Sequence, residues 1–200
     1  MQSCRKPFGR PHLLYLLGAG TAGWALLLVT TAVSGWPVGS DGPVDPLSFS
    51  LFLFFCLAAR FLAFDTLQGM AISLDSAFYI AAIWTLGPLA AAWVAAIAIV
   101  SYRGWRYLRR ELLERAERRP RAQELWQLYY GPGAVSAQFL LVGWMLPLEA
   151  IQRSVAESVG SAHWMVLGII PALTVLFLLL NYGMGAVSLW LQGHEPTAIR

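Results

Sequence analysis

The 200 residues are 58% hydrophobic and 12% charged, with a mean hydropathy of +0.58. A soluble domain carries about 25% charge, so the composition argues against a soluble globular fold and for an integral membrane protein. The net charge of +3 does not signal a nucleic-acid partner, because eight of the fourteen basic residues are arginines between Arg103 and Arg121, beside apolar runs. That distribution marks a cytoplasmic loop.

The basic tail MQSCRKPFGRPH precedes an apolar run from Leu13 to Val33. The run is longer than a signal-peptide core, and no small-residue cleavage site follows it. A retained first span over 12–34 is expected, with residues 1–11 as a cytoplasmic tail. Gly18, Gly20 and Gly23 within it read as a packing face, since small residues let helices approach closely. Cys4 and Cys56 lie in unlike surroundings, so no disulfide is expected. The stretch GWPVGSDGPVDPL is rich in turn formers and has two aspartates and no basic residue, which suits an outside loop with Trp36 at the interface.

A second span is expected over 47–64. Arg60 near its end is expected to snorkel to headgroups or to pair with Asp65 or Asp75. Next comes SLDSAFYIAAIWTLGPLAAAWVAAIAIV, residues 73–100. As helices, 73–86 and 89–102 would each be about 21 Å long. Gly87-Pro88 lies between them, combining backbone freedom with a lost amide donor. Charge decides how to read this stretch. Both the N-terminal tail and the arginine-rich segment should be inside, so an even number of crossings separates them. Two spans already precede residue 73. The stretch is therefore read as a helical hairpin turning at Gly87 and Pro88; the alternative is one broken, tilted helix.

Residues 103–125 read as an amphipathic cytoplasmic connector. Glu111, Glu114 and Glu117 stand four residues before Arg115, Arg118 and Arg121, the favourable order for helical ion pairs, and Pro120 limits the helix. Arg103, Arg106, Arg109 and Arg110 are candidates for contact with anionic lipid headgroups; the other reading is a solvated connector that fixes topology. A fifth span is expected over 126–148, with Gly131-Pro132-Gly133 near its start. The loop after it carries Glu149, Arg153 and Glu157, in the pattern of a short surface helix. A sixth span is expected over 164–191, containing Pro171, a residue membrane helices tolerate. Residues 192–200 read as a cytoplasmic tail or the start of an output domain. The expected architecture is all-α: a polytopic bundle of about six membrane helices with both termini cytoplasmic, multi-pass in a bacterial inner membrane.

No reacting constellation stands out. His12, His163 and His194 lie at helix ends or in tails, and no metal-ligand, phosphate-loop or nucleophile-elbow spacing occurs. A non-catalytic protein without metal or cofactor is expected. The intramembrane polar residues are the ligand-site candidates. Asp75 is either a cap at a helix start or a contact inside the bundle. Gln138 and Asn181 either bind a ligand or hydrogen-bond between helices.

The stretches SLDSAFYIAAIWTLGPLAAAW, YYGPGAVSAQF and LLLNYGMGAVSLWLQGHEP together resemble the N-terminal multi-helix membrane sensor regions of bacterial signalling proteins. Those regions precede HD-GYP phosphodiesterase, GGDEF cyclase or histidine-kinase output domains, and the resemblance covers roughly residues 45–197. It implies an input role in signalling of the cyclic-di-GMP type, with lipid, a cytoplasmic output domain or signalling partner, and a second copy of the chain as partners. Members often carry further helices and an output domain beyond the position of Arg200, so a portion of a longer protein or a stand-alone relative is expected. The helix–Gly-Pro–helix element is also similar to substrate-binding membrane subunits of vitamin transporters, which keeps that reading open beside a structural membrane subunit.

Overall fold

The computed structural model describes residues 10–39, 42–62, 64–65, 71–72, 75–113, 121–145 and 162–191. Six helices account for nearly all of them: α1 (Arg10–Ser34), α2 (Pro46–Phe61), α3 (Asp75–Leu86), α4 (Pro88–Leu113), α5 (Arg121–Met145) and α6 (Ala162–Leu191). Between α2 and α3 lies a small antiparallel ribbon, β1 (Phe64–Asp65) and β2 (Ala71–Ile72), with Phe64 opposite Ile72. The fold is otherwise all helical, as expected, and the ribbon is a local addition to it. The ribbon takes up the end of the 47–64 span, which stops as a helix at Phe61.

Local chemistry sets several boundaries. Asp45 caps α2: its carboxylate accepts from the Ser48 amide at 2.9 Å, satisfying a donor that the helix start leaves without a partner. Pro46 follows at the first helical position, where its missing donor costs nothing. The loop before it is held by Val44 N–H donating to Pro37 O at 3.1 Å.

The 73–100 stretch folds as a hairpin. The Gly87 amide closes α3 by donating to Ile83 O at 3.2 Å, and its carbonyl accepts from Ala91 N–H at 3.0 Å as α4 begins. One residue thus ends one helix and caps the next. Its φ of +82° lies in the left-handed region that glycine enters without a Cβ penalty. Tyr79 comes within electrostatic reach of Arg103. A continuous helix would hold the two about 36 Å apart, so the chain has doubled back.

The helices alternate in direction. His12 and Tyr15 at the start of α1 bond to Ser188 and Met184 near the end of α6. Phe61 at the end of α2 meets Tyr102, with ring centroids 5.3 Å apart. Arg103 lies against Gly131 in the first half of α5, whereas Pro88 lies against Gly143 near its end. One end of the bundle therefore collects the start of α1, the end of α2, the start of α3, the basic part of α4, the start of α5 and the end of α6. At the other end, Trp93 Nε1 donates to Thr31 Oγ1 at 3.0 Å, and its ring meets Trp36 at 5.0 Å.

α4 is the central helix, packed against α1, α2, α3 and α5. Ala90, Ala91, Ala92, Ala95, Ala96 and Ala98 are each at most 1% exposed. Small side chains all round a helix allow several neighbours to approach at once. The helix continues through residues 103–113, where the sequence reading began its connector. α5 starts at Arg121, immediately after Pro120. The glutamate–arginine pairs of 111–121, the surface helix expected after α5, and Cys4 lie outside the described residues and side chains. Cys56 is buried.

Of the glycines expected to form a packing face on α1, two do so. A Cβ on Gly23 would collide with the Gly133 carbonyl, and one on Gly20 would press on Tyr129 and Tyr130. Gly18 meets nothing within 4 Å. The outside of the bundle is apolar: Leu28, Val29, Leu51, Phe54, Leu179 and Val187 are all exposed. Among the described residues, two helical segments, His12–Ser34 and Pro88–Arg109, are long and apolar enough to cross a membrane.

Candidate functional site

Polar groups gather in two places within this apolar frame. The first is a seam where α1, α5 and α6 meet. His12 Nε2 and Ser188 Oγ share a hydrogen bond of 3.1 Å, and Tyr15 Oη donates to the Met184 carbonyl at 3.1 Å. Gln138 Nε2 donates to Met184 Sδ, also at 3.1 Å. Gln138 is only 2% exposed, and its Oε1 has no hydrogen-bond partner among the described residues. A buried acceptor left without a donor costs about 1–3 kcal/mol, so this amide sits at an energetic disadvantage that a ligand's donor would relieve.

The seam is continuous with the α1–α5 crossing. Pro132 takes one amide out of the α5 ladder. Just before it, the Tyr129 carbonyl accepts from Trp24 Nε1 at 3.0 Å, and Tyr129 Oη shares a 2.8 Å hydrogen bond with Thr21 Oγ1. The glycines on both helices bring the backbones close enough for these side chains to reach across.

The second gathering is basic. Arg60 Nε donates to Tyr79 Oη at 3.0 Å. Arg103 is half-buried, within electrostatic reach of Arg60, Tyr79, Arg106 and Tyr130. Its guanidinium occupies the space beside Gly131 that a side chain there would fill. Four elements contribute to this cluster: α2 brings Arg60, α3 Tyr79, α4 both Arg103 and Arg106, and α5 Tyr130. Arg106 is exposed, with its guanidinium carbon 5.8 Å from the Tyr102 ring centre, and Arg109 is exposed beyond it. The four arginines singled out in sequence therefore differ: Arg103 turns into the bundle end, Arg106 and Arg109 face outward, and the Arg110 side chain lies outside those described.

The three candidate ligand contacts do not converge. Gln138 is buried in the seam. Asn181 is exposed on α6. Asp75 is the first residue of α3; its side chain, and that of Asp65, lie outside those described, and with them the expected pairing to Arg60. Arg60 bonding to Tyr79, Tyr15 reaching α6, and His12 meeting Ser188 were not anticipated. Each joins residues far apart in the chain, and no local spacing announces such a pair. Among the described residues no group of three or more His, Cys, Asp or Glu side chains could hold a metal ion. The chain matches no family model, no curated protein and no solved structure.

Proposed function

We propose that the chain is a six-span membrane domain serving as the sensory or input module of a bacterial signalling protein, non-catalytic by itself. In this reading the basic end of the bundle is cytoplasmic, and α6 passes the signal to an output domain or partner on that side. The membrane part is supported by the apolar exterior and by exposed tryptophans at two levels. Trp144 lies beside the Gly143–Pro88 contact at one end, and Trp105 and Trp190 lie toward the other. Counted along α4 from Pro88 to Trp105, the levels are about 26 Å apart, close to a hydrocarbon core of about 30 Å. Interfacial tryptophan at two such levels is the pattern of a membrane-spanning bundle.

The observation that carries the input role is the attachment of α6. Its second half is tied to α1 and α5 by the three polar contacts of the seam. A helix held by a few exchangeable hydrogen bonds can shift against a core packed on alanine. The test has two steps. With Cys4 and Cys56 replaced, Gly87→Cys should react with an impermeant thiol reagent on intact cells, and Arg109→Cys should not; the opposite result refutes the topology. With a cyclase or kinase reporter fused after Arg200, Tyr15→Phe or His12→Ala should change reporter output at equal protein level. Unchanged output in both variants refutes the signalling role of α6.

The buried Oε1 of Gln138 favours a second reading, the small-molecule-binding membrane subunit of a transporter. Mass spectrometry of the purified protein would then find a stoichiometric small molecule that Gln138→Leu loses.

A further inference from the structure

α6 presents unlike faces to its surroundings. Phe177 and Met184 point into the bundle: Phe177 packs on Phe139 with ring centroids 5.4 Å apart, and Met184 receives the Tyr15 and Gln138 bonds. Asn181, Tyr182 and Gly185 are exposed. The Asn181 carboxamide has no hydrogen bond among the described residues. The space beside Gly183 and Gly185 is open to 4 Å and beyond. Ten residues separate Asn181 from the end of α6 at Leu191, about 15 Å of helix. Given the membrane reading above, on which this inference rests, that is near the middle of the hydrocarbon core. Lipid offers no hydrogen-bond partner there, and an amide left in it is strongly disfavoured.

We infer that this face of α6 packs against the same face of a second copy of the chain, with the two Asn181 carboxamides hydrogen-bonded to each other across a twofold axis. The chemistry selects a second copy over another occupant. A carboxamide carries both donors and an acceptor, so two identical ones satisfy each other. A twofold axis brings each residue near its own counterpart. Gly185 follows one helical turn after Asn181, on the same side of α6, and its missing side chain lets the backbones close to hydrogen-bonding distance. The outward faces of α1 and α2 present Leu28, Val29, Leu51 and Phe54, which lipid covers without any partner. A face that pairs with itself closes the assembly at two copies.

Cysteine cross-linking of the full chain in isolated bacterial membranes tests this. With Cys4 and Cys56 replaced, Gly185→Cys is oxidised with copper–phenanthroline beside Phe54→Cys on α2 as control. The expected result is a disulfide-linked product of twice the chain mass from Gly185→Cys, about tenfold above the control. Asn181→Leu in the same background should lower it about threefold to tenfold, the range of one or two interhelical hydrogen bonds in a membrane. A second line uses Tyr182→Cys, whose cross-link should be lost when Gly185→Leu blocks close approach. Cross-linking no greater than the control, no response to Asn181→Leu and Gly185→Leu, or a product of another mass would each overturn the second-copy assignment. Extraction of the chain by alkaline carbonate would overturn the membrane reading and the dimer with it, whereas monomer in the carbonate-resistant pellet overturns the dimer alone.

Discussion

Gly23→Ala and Gly18→Ala form a matched pair in one helix. Both replace glycine by the best helix former, which in isolation stabilises by up to about 1 kcal/mol. At Gly18 the new methyl group enters open space, so only this gain remains. At Gly23 it meets the Gly133 carbonyl. Packed atoms prefer a separation of about 3.5 Å, and the Cβ site lies far inside it. Both partners are backbone, so no rotamer change relieves the clash and α1 must move away from α5. Overpacking of this kind costs about 1–3 kcal/mol. The same displacement stretches the Trp24–Tyr129 and Thr21–Tyr129 hydrogen bonds, worth about 0.5–1.5 kcal/mol each. The net loss should be about 2–4 kcal/mol, a fall in melting temperature on the order of 5–15 °C for a chain of this size. A thermal melt of both purified variants in one detergent reads it. Gly18→Ala should match or exceed the parent. If Gly23→Ala melts with Gly18→Ala, the close α1–α5 crossing is wrong.

Other substitutions test other contacts. Gly87→Ala forces an alanine to φ +82° and should cost about 1–2 kcal/mol in the same melt, whereas Gly87→Asn should cost less; equal loss in both would argue against the left-handed turn. Gln138→Met keeps the volume and removes the unsatisfied oxygen, so it should be neutral or stabilising; a fall of more than about 2 kcal/mol would mean that the amide has a second partner. Trp24→Phe removes only the indole donor to Tyr129 and should cost about 1 kcal/mol; no measurable change would show that water or lipid replaces it without loss.

The helical frame was legible because apolar length and charge are both local properties. Expected spans over 12–34, 73–86 and 164–191 fall within a few residues of α1, α3 and α6. The hairpin was read from Gly87-Pro88 and the charge of the flanking segments, and the chain does turn at Gly87 and bring Arg103 back beside Tyr79. What stayed hidden depends on azimuth and partner. Gly18, Gly20 and Gly23 look alike in sequence, but only the last two face α5. Gln138 and Asn181 both read as polar residues inside spans, yet one points into the seam and the other away from it. Arg103 is one of eight arginines between 103 and 121, and the space beside Gly131 that its guanidinium occupies is made by a distant part of the chain. The β1–β2 ribbon was missed because its two-residue strands are too short to show a period.

The crossing of Gly20 and Gly23 with Gly133 joins segments about 110 residues apart in the chain. At a synthesis rate of about 5–20 residues per second, α1 waits on the order of 5–20 s for α5 to emerge. Until then its glycine groove, shaped to receive another backbone, lacks its partner. The final architecture thus imposes an order of assembly. α2, α3 and α4 can associate as they emerge, and α1 can already meet α4 through Thr31 and Trp93, whereas its glycine face closes only when α5 arrives.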